Sequence, residues 1–256
     1  MSLQGKIAVV TGGSQGIGEA IALVFAKEGA TIAIINNAHR DTALSVVRKI
    51  QSLGGCARSF PADLTKPSET KTAIGAILET FTTIDILVNC AGIFFKTPIE
   101  DTTEKDYDRM ADLNLKGTFF CIQNVVPEMR RRQAGRIINV ASVAGLFGLS
   151  GYSLYCATKA SIINLTKALA LELAPHGINV NCLVPGNVAT PMNEELRNDP
   201  KHSKYIEHMR NRTPSGRVFL EAEDIAAAAL FLASERSKGM HGSALVIDEG
   251  FAAGVG

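Results

Sequence analysis

Ile7-Ala8-Val9-Val10-Thr11-Gly12-Gly13-Ser14-Gln15-Gly16-Ile17-Gly18, running on as a helical pattern through Glu28 to Gly29, is the stretch that decides the fold. Four consecutive apolar residues suit a short strand buried on both faces of a parallel sheet. The glycines that follow allow a tight turn and let the backbone come close to a pyrophosphate. The helix then begins, and its first free N–H groups would face that anion. Strand, glycine-rich turn and helix in this order are the context that gives such a turn its meaning. The alternative is an ordinary glycine-rich loop between strand and helix.

Outward from this unit the pattern repeats. Strands are expected at Thr31 to Ile35, Cys56 to Phe60, Ile86 to Val88, Arg136 to Val140, Asn179 to Leu183 and Ala244 to Ile247. Helices are expected at Arg40 to Leu53 (Val46, Val47, Ile50 and Leu53 inward), Ser68 to Phe81, Ser153 to Leu173 and Glu221 to Ala233. A longer helical region spans Glu104 to Arg132, with a break near Asp112 to Asn114. His176, between Pro175 and Gly177, marks a helix end. Regular alternation without a composition break or internal repeat predicts one α/β domain over residues 1–256: a Rossmann-like, doubly wound parallel sheet of about seven strands with helices on both faces. Ligands of such sheets bind outside the carboxyl ends of the strands. Gly12, Asp63, Asn89, Ser142 and Gly186 all fall there. Only residues 191–217, rich in Asn, Lys, Arg and His, lack periodicity; a substrate lid is preferred over a disordered loop.

Composition narrows the function classes. Apolar residues make up 46% of the 256, enough for a large core, and the net charge of +1 gives no electrostatic reason to invoke nucleic acid or an anionic membrane. Five cysteines, with no Cys-x-x-Cys pair, read as free thiols in a reducing compartment and not as a metal site. Met1 to Lys6 leads into a strand without a signal-peptide core, and the longest apolar run, Ile225 to Ala233, is far below the ~20 residues of a membrane span. A cytoplasmic protein is expected.

Chemistry concentrates between Asn139 and Lys159. Tyr155 and Lys159 are spaced i, i+4, so on a helix they share a face. A fixed ammonium beside a phenol favours the phenolate, and lowering the Tyr pKa by ~2 units from its usual ~10 takes roughly 2.7 kcal/mol. Ser142, at the end of the preceding strand, could hydrogen-bond the same substrate oxygen. That set suits interconversion of a carbonyl and an alcohol, with Tyr155 as general acid/base. A Tyr-x-x-x-Lys also occurs on helices by chance, so its weight comes from its surroundings.

Thr11-Gly-x-x-x-Gly16-x-Gly18, Asp63, Asn89-x-Ala91-Gly92, Asn114, Ser142, Tyr155-x-x-x-Lys159, Pro185-Gly186 and Thr190, in this order and spacing, resemble the classical short-chain dehydrogenase/reductase family over essentially the whole chain. The resemblance implies an NAD(P)-dependent oxidoreductase acting on a small-molecule alcohol or ketone. Its catalytic set would be Asn114, Ser142, Tyr155 and Lys159, with Asn114 anchoring a water in a proton relay behind Lys159. The cofactor would meet Gly12, Ser14, Gln15, Gly16, Ile17 and Gly18 at the turn and Asn36 at the end of the second strand. Asp63 and Asn89 would flank the adenosine. Tyr155 and Lys159 would hold the ribose, and Val188 and Thr190 the carboxamide, with Leu64, Ala91, Gly92, Pro185 and Gly186 completing the set. Homotetramers built on the two long helices are implied. Read as residues alone, Asn114 could instead cap or break a helix, Asp63 could cap a loop, and Thr190 could be plain loop.

Two departures stand out. Ile35-Asn36-Asn37 lacks the Asp that NAD users of the family carry at the end of strand two, so nothing there repels a 2′-phosphate. Gln15 is neutral, leaving His39 or Arg40 as nearby bases. The choice stays open between NAD and NADP, leaning slightly to NADP. Asp248-Glu249-Gly250 places a carboxylate where the family often has Gly, which bears on subunit packing. The expected pocket residues (Phe94, Phe95, Leu146, Phe147, Leu149, Tyr152, Asn187, Met192) favour a ketone or alcohol with an apolar body over a hydroxylated sugar. A 3-oxoacyl thioester reductase is the alternative within the family, and a non-catalytic nucleotide sensor the alternative outside it.

Overall fold

The computed structural model describes residues 1–37 and 40–254. Seven strands, β1 (Ile7–Thr11), β2 (Thr31–Asn36), β3 (Ala57–Pro61), β4 (Ile86–Asn89), β5 (Gly135–Val140), β6 (Ile178–Pro185) and β7 (Ala244–Ile247), form one parallel sheet in the order β3-β2-β1-β4-β5-β6-β7. The order reverses beside β1, the switch point at which a crevice opens beyond the carboxyl ends. Register fixes that edge: Thr11 lies opposite Ile35 and Asn89, Asn89 opposite Asn139, and Val140 opposite Leu183.

Helices cover both faces because the strands are apolar on both sides. α1 (Gly16–Lys27), α2 (Arg40–Ser52) and α9 (Ala222–Ala233) pack on one face around Ile21, Phe25, Ile32, Ile34 and Ile225. α3 (Pro67–Phe81), α5 (Thr118–Arg132) and α6 (Ser153–Leu173) pack on the other around Ile77, Leu87, Val125, Met129 and Ile137. Phe25 and Ile21 are wholly buried; each such side chain is worth about 1.5–3 kcal/mol of transfer free energy. Leu53 departs from the expected inward set: α2 closes at Ser52, the Leu53 N–H turns back to the Ile50 carbonyl, and the side chain is 62% exposed.

The expected break in the Glu104 to Arg132 region is a π-helical segment, Asp112–Gly117, between α4 (Glu104–Ala111) and α5. α4 starts at a reciprocal cap between Thr103 and Asp106. Residues 191–217 are not structureless, contrary to their lack of periodicity. Single turns at Pro191–Asn193 and Pro200–His202 alternate with α7 (Glu194–Asn198) and α8 (Ser203–Arg212). α7 is too short for an apolar stripe, and α8 offers only Tyr205, Ile206 and Met209, of which Met209 alone is buried.

Candidate active site

β5 ends at Val140, and the chain passes through Ala141 to Ser142, whose extended backbone starts a single turn at Val143–Gly145. The Ser142 Oγ accepts from Ala144 N at 3.2 Å, which fixes the hydroxyl at the sheet edge. After the loop to Tyr152, α6 begins, bringing Tyr155 and Lys159 back to the same edge. Phe94, from the loop after β4, lies between two tyrosines. It stacks on Tyr152 at 4.5 Å and 2° and meets Tyr155 edge-on at 4.7 Å and 76°.

The Lys159 ammonium is buried and donates to the Val140 carbonyl at 2.9 Å. It lies 5.6 Å from the centroid of the Tyr155 ring. No ion pair holds it among the described residues, and burial lowers its pKa. Burial works against the expected acidification of the Tyr155 phenol. Although part of Tyr155 remains accessible, protein surrounds it densely, and burial pushes it up to about 12 while Ser142 pulls the other way. The cost of desolvating a phenolate outweighs the opposing hydrogen bond from Ser142.

Asn114, in the π-helical segment, is neither helix cap nor free. Its Oδ1 accepts from Ile93 N at 2.8 Å, and its Nδ2 donates to the Ile93 carbonyl at 3.0 Å and to Thr158 Oγ1 at 3.3 Å. It therefore ties the loop after β4 to α6. Gly92 passes close by: a Cβ there would lie 3.2 Å from Asn114 Oδ1 and 3.6 Å from Lys159 Nζ.

The glycine turn fits a dinucleotide. Gly12 has φ 65°, and a Cβ on it would stand 2.9 Å from Ala91 Cα; one on Gly18 would stand 2.3 Å from the Gly12 carbonyl. α1 begins after Gln15 without a side-chain cap, so its first N–H groups are available to a pyrophosphate. Ser14 is buried, Gln15 exposed and Ile17 half-buried around the turn. Thr190 packs over Gly16, its Cγ2 3.1 Å from where a Cβ would be. At the end of β2, Asn36 Oδ1 accepts from Ser59 Oγ at 2.9 Å, while its buried Nδ2 has no partner among the described residues. Of the bases considered there, His39 and the Arg40 side chain lie outside the described residues.

Other expected contacts divide. Asn89 stays at the edge, donating to Asn139 Oδ1 at 2.9 Å, and its own buried Oδ1 has no partner among the described residues. Asp63 caps its own loop, where Oδ1 accepts from Thr65 N at 3.1 Å and Thr65 Oγ1 at 2.7 Å. Burial opposes its ionisation, but these bonds and Lys66 hold its pKa below the usual carboxylate value. Leu64 and Val188 turn their side chains into the core, leaving backbone to any ligand. Gly186 follows Pro185 and packs on Asp248; Thr190 N donates to Asn193 Oδ1 at 3.2 Å. Phe147 rests on Phe251 at 5.6 Å, in the core cluster of the C-terminal segment, and is no simple pocket wall. Phe95 is half-buried under Arg109, whereas Leu146 and Met192 are exposed.

Sequence reasoning gave no role to two side chains that assemble this edge, Thr11 and Asn139. Thr11 Oγ1 accepts from Cys90 N and Ala91 N at 3.0 and 3.1 Å, joining the glycine turn to the β4 loop. Asn139 is fully buried and donates to Thr166 Oγ1 at 2.9 Å, relaying Asn89 to α6. An Asn inside the run Ile137-Ile138-Asn139-Val140 was the available signal, since a buried amide needs partners. Glu195, Asp199 and His202 bring their ligand atoms within 4.8 Å of one another, but Lys201 pairs with both carboxylates at 2.7 and 2.8 Å.

A family model described as enoyl-(acyl carrier protein) reductase matches residues 12–252. The 3-oxoacyl-(acyl-carrier-protein) reductase FabG of Staphylococcus epidermidis is 39% identical over 245 residues, covering 96% of this chain and 98% of that protein. The FabG of Thermotoga maritima is 38% identical over 250 residues, covering 98% and 99%. Among solved structures, a gluconate 5-dehydrogenase from Burkholderia cenocepacia, in complex with NADP and tartrate, superposes with a TM-score of 0.92. It is 32% identical, with 99% of this chain and 97% of that one covered.

Proposed function

Since this chain belongs to the short-chain dehydrogenase/reductase family and is an NAD(P)-dependent oxidoreductase acting on CH–OH groups, we propose that it reduces ketones borne on an apolar body, with 3-oxoacyl thioesters foremost. The observation that carries this reading is the aromatic wall beside the phenol, Phe94 set between Tyr152 and Tyr155. A polyhydroxylated acid would bury hydroxyls against those rings without partners, at a cost of about 1–3 kcal/mol each. An acyl chain would not. The FabG relatives point the same way.

The nicotinamide supplies the hydride when bound. Ser142 and Tyr155 hold the carbonyl oxygen, and Tyr155 donates the proton. Burial that keeps this phenol protonated keeps it in the form a reduction needs. Lys159, a buried cation in low dielectric, stabilises the phenolate left behind. Asn114 holds the Ile93 loop against α6 so that this geometry persists.

NADPH is the preferred reductant in this reading, supported by an amide at Asn36, its donor unpartnered among the described residues, where a carboxylate would repel a 2′-phosphate. Residues 191–217 act as the substrate lid of a single domain. A homotetramer is supported by the apolar side chains left exposed on the long helices, Phe119 on α5 and Leu171 on α6. Five free cysteines support a reducing, cytoplasmic setting; among the described residues no helix is long and apolar enough to cross a membrane.

Paired binding titrations with NADPH and NADH, then a panel of ketones and alcohols with the tighter cofactor, test the reading. NADPH should bind more tightly, and acyl ketones should outrun gluconate-like acids. Preference for NADH by more than about tenfold, roughly 1.4 kcal/mol, contradicts the cofactor assignment.

A further inference from the structure

Glu249 has φ 58°, a left-handed conformation that side chains other than Gly adopt with difficulty. Its carboxylate reaches Arg217 at 3.3 Å. Arg217, at the trailing end of 191–217, also pairs with Asp224 in the first turn of α9 and donates to the Phe219 carbonyl at 3.2 Å. The neighbours of Glu249 extend the contact. Gly250, also left-handed, packs beneath Pro214, and the Arg212 guanidinium lies 5.2 Å from the Phe251 ring centroid. Phe251 in turn rests on Phe147, in the loop that leaves Ser142. Asp248 stiffens the turn, accepting from Gly250 N at 3.0 Å and Ala252 N at 2.6 Å.

We propose that Glu249 is a positioning residue: its ion pair with Arg217 fastens the end of the lid to a C-terminal turn that also rests on the Ser142 loop, and this sets substrate affinity. The inference rests on the reading of 191–217 as a lid over that site. An ion pair with one partner half-exposed does little for global stability. It does more by choosing between two positions of a local segment, because the lid's own buried contacts are few.

Two variants separate charge from backbone strain. Glu249→Gln removes the charge and keeps the side chain; Glu249→Gly also removes the strain. With acetoacetyl coenzyme A and saturating NADPH, both should raise KM about two- to fivefold, the range open to an exposed pair, with kcat, NADPH affinity and the Tm of Glu249→Gln unmoved. The KM of the parent should rise more steeply with salt than that of Glu249→Gln, in which the Arg217–Asp224 pair remains. Amide exchange over residues 203–217 should quicken in both variants. Unchanged KM and unchanged exchange overturn the proposal, as does a fall in Tm without either change. If the chain reduces no ketone, exchange decides alone. Faster exchange then upholds the fastening and places the failure in the catalytic reading, while unchanged exchange overturns the fastening itself.

Discussion

The Lys159 ammonium donates to the Val140 carbonyl at 2.9 Å, so a buried cation on α6 is held by the last residue of β5. This bond places the charge at the sheet edge without a carboxylate partner. A counter-ion would spend part of its field; a carbonyl dipole leaves most of it for a developing phenolate.

Replacing Lys159 therefore separates chemistry from stability. Lys159→Met removes the charge and leaves one carbonyl unpaired, while an apolar chain fills the volume, so unfolding free energy should shift by no more than about 1–2 kcal/mol. Turnover should fall by about 10²-fold or more. Denaturant melts beside steady-state kinetics check both.

The phenol pKa gives a pH signature. An unfolded Tyr ionises near ~10, whereas Tyr155 in the folded chain holds its proton to about 12. Between those values the unfolded state binds fewer protons, so stability declines as pH rises through that window. Tyr155→Phe removes the term. The difference in unfolding free energy between parent and variant should shift against the parent from about pH 10 upward. Lys159, with its lowered pKa, is present in both and cancels.

Asn114 should behave as a structural knot. Asn114→Leu abolishes its bonds to Ile93 and Thr158 and leaves the part-buried Ile93 N–H and carbonyl unpaired. A loss of about 2–4 kcal/mol is expected, read as a lower midpoint in urea with an unchanged slope.

Much of the edge could be read from residue order alone. β1, its glycine turn and α1 declare themselves through an apolar run followed by Gly12, Gly16 and Gly18, and the convergence of Asn89, Ser142 and Gly186 follows from a parallel sheet. The direction of the Lys159 bond could not be read, because i, i+4 spacing places two side chains on one face without saying what else competes for the ammonium. The short helices within 191–217 were hidden because α7 has only five residues and the ten of α8 are mostly polar, with Tyr205, Ile206 and Met209 too few to mark a face. Glu249 was legible as a departure, but its partner Arg217 is distant in sequence and adjacent only after folding.

Cofactor choice should turn on one side chain. Asn36→Asp keeps an acceptor for Ser59 and adds the charge that repels a 2′-phosphate. The ratio of NADPH to NADH dissociation constants should rise by about tenfold or more, about 1.4 kcal/mol, as measured by fluorescence titration.

The central claim is that the Tyr155 hydroxyl gives the proton that completes carbonyl reduction. Single-turnover reduction of a 3-oxoacyl thioester by Tyr155→Phe, at saturating NADPH and set against the parent, tests it most directly. Nicotinamide binding and Tm should be retained, with the rate lowered by about 10²- to 10⁴-fold. A variant that reduces the same ketone at the parental rate contradicts the account.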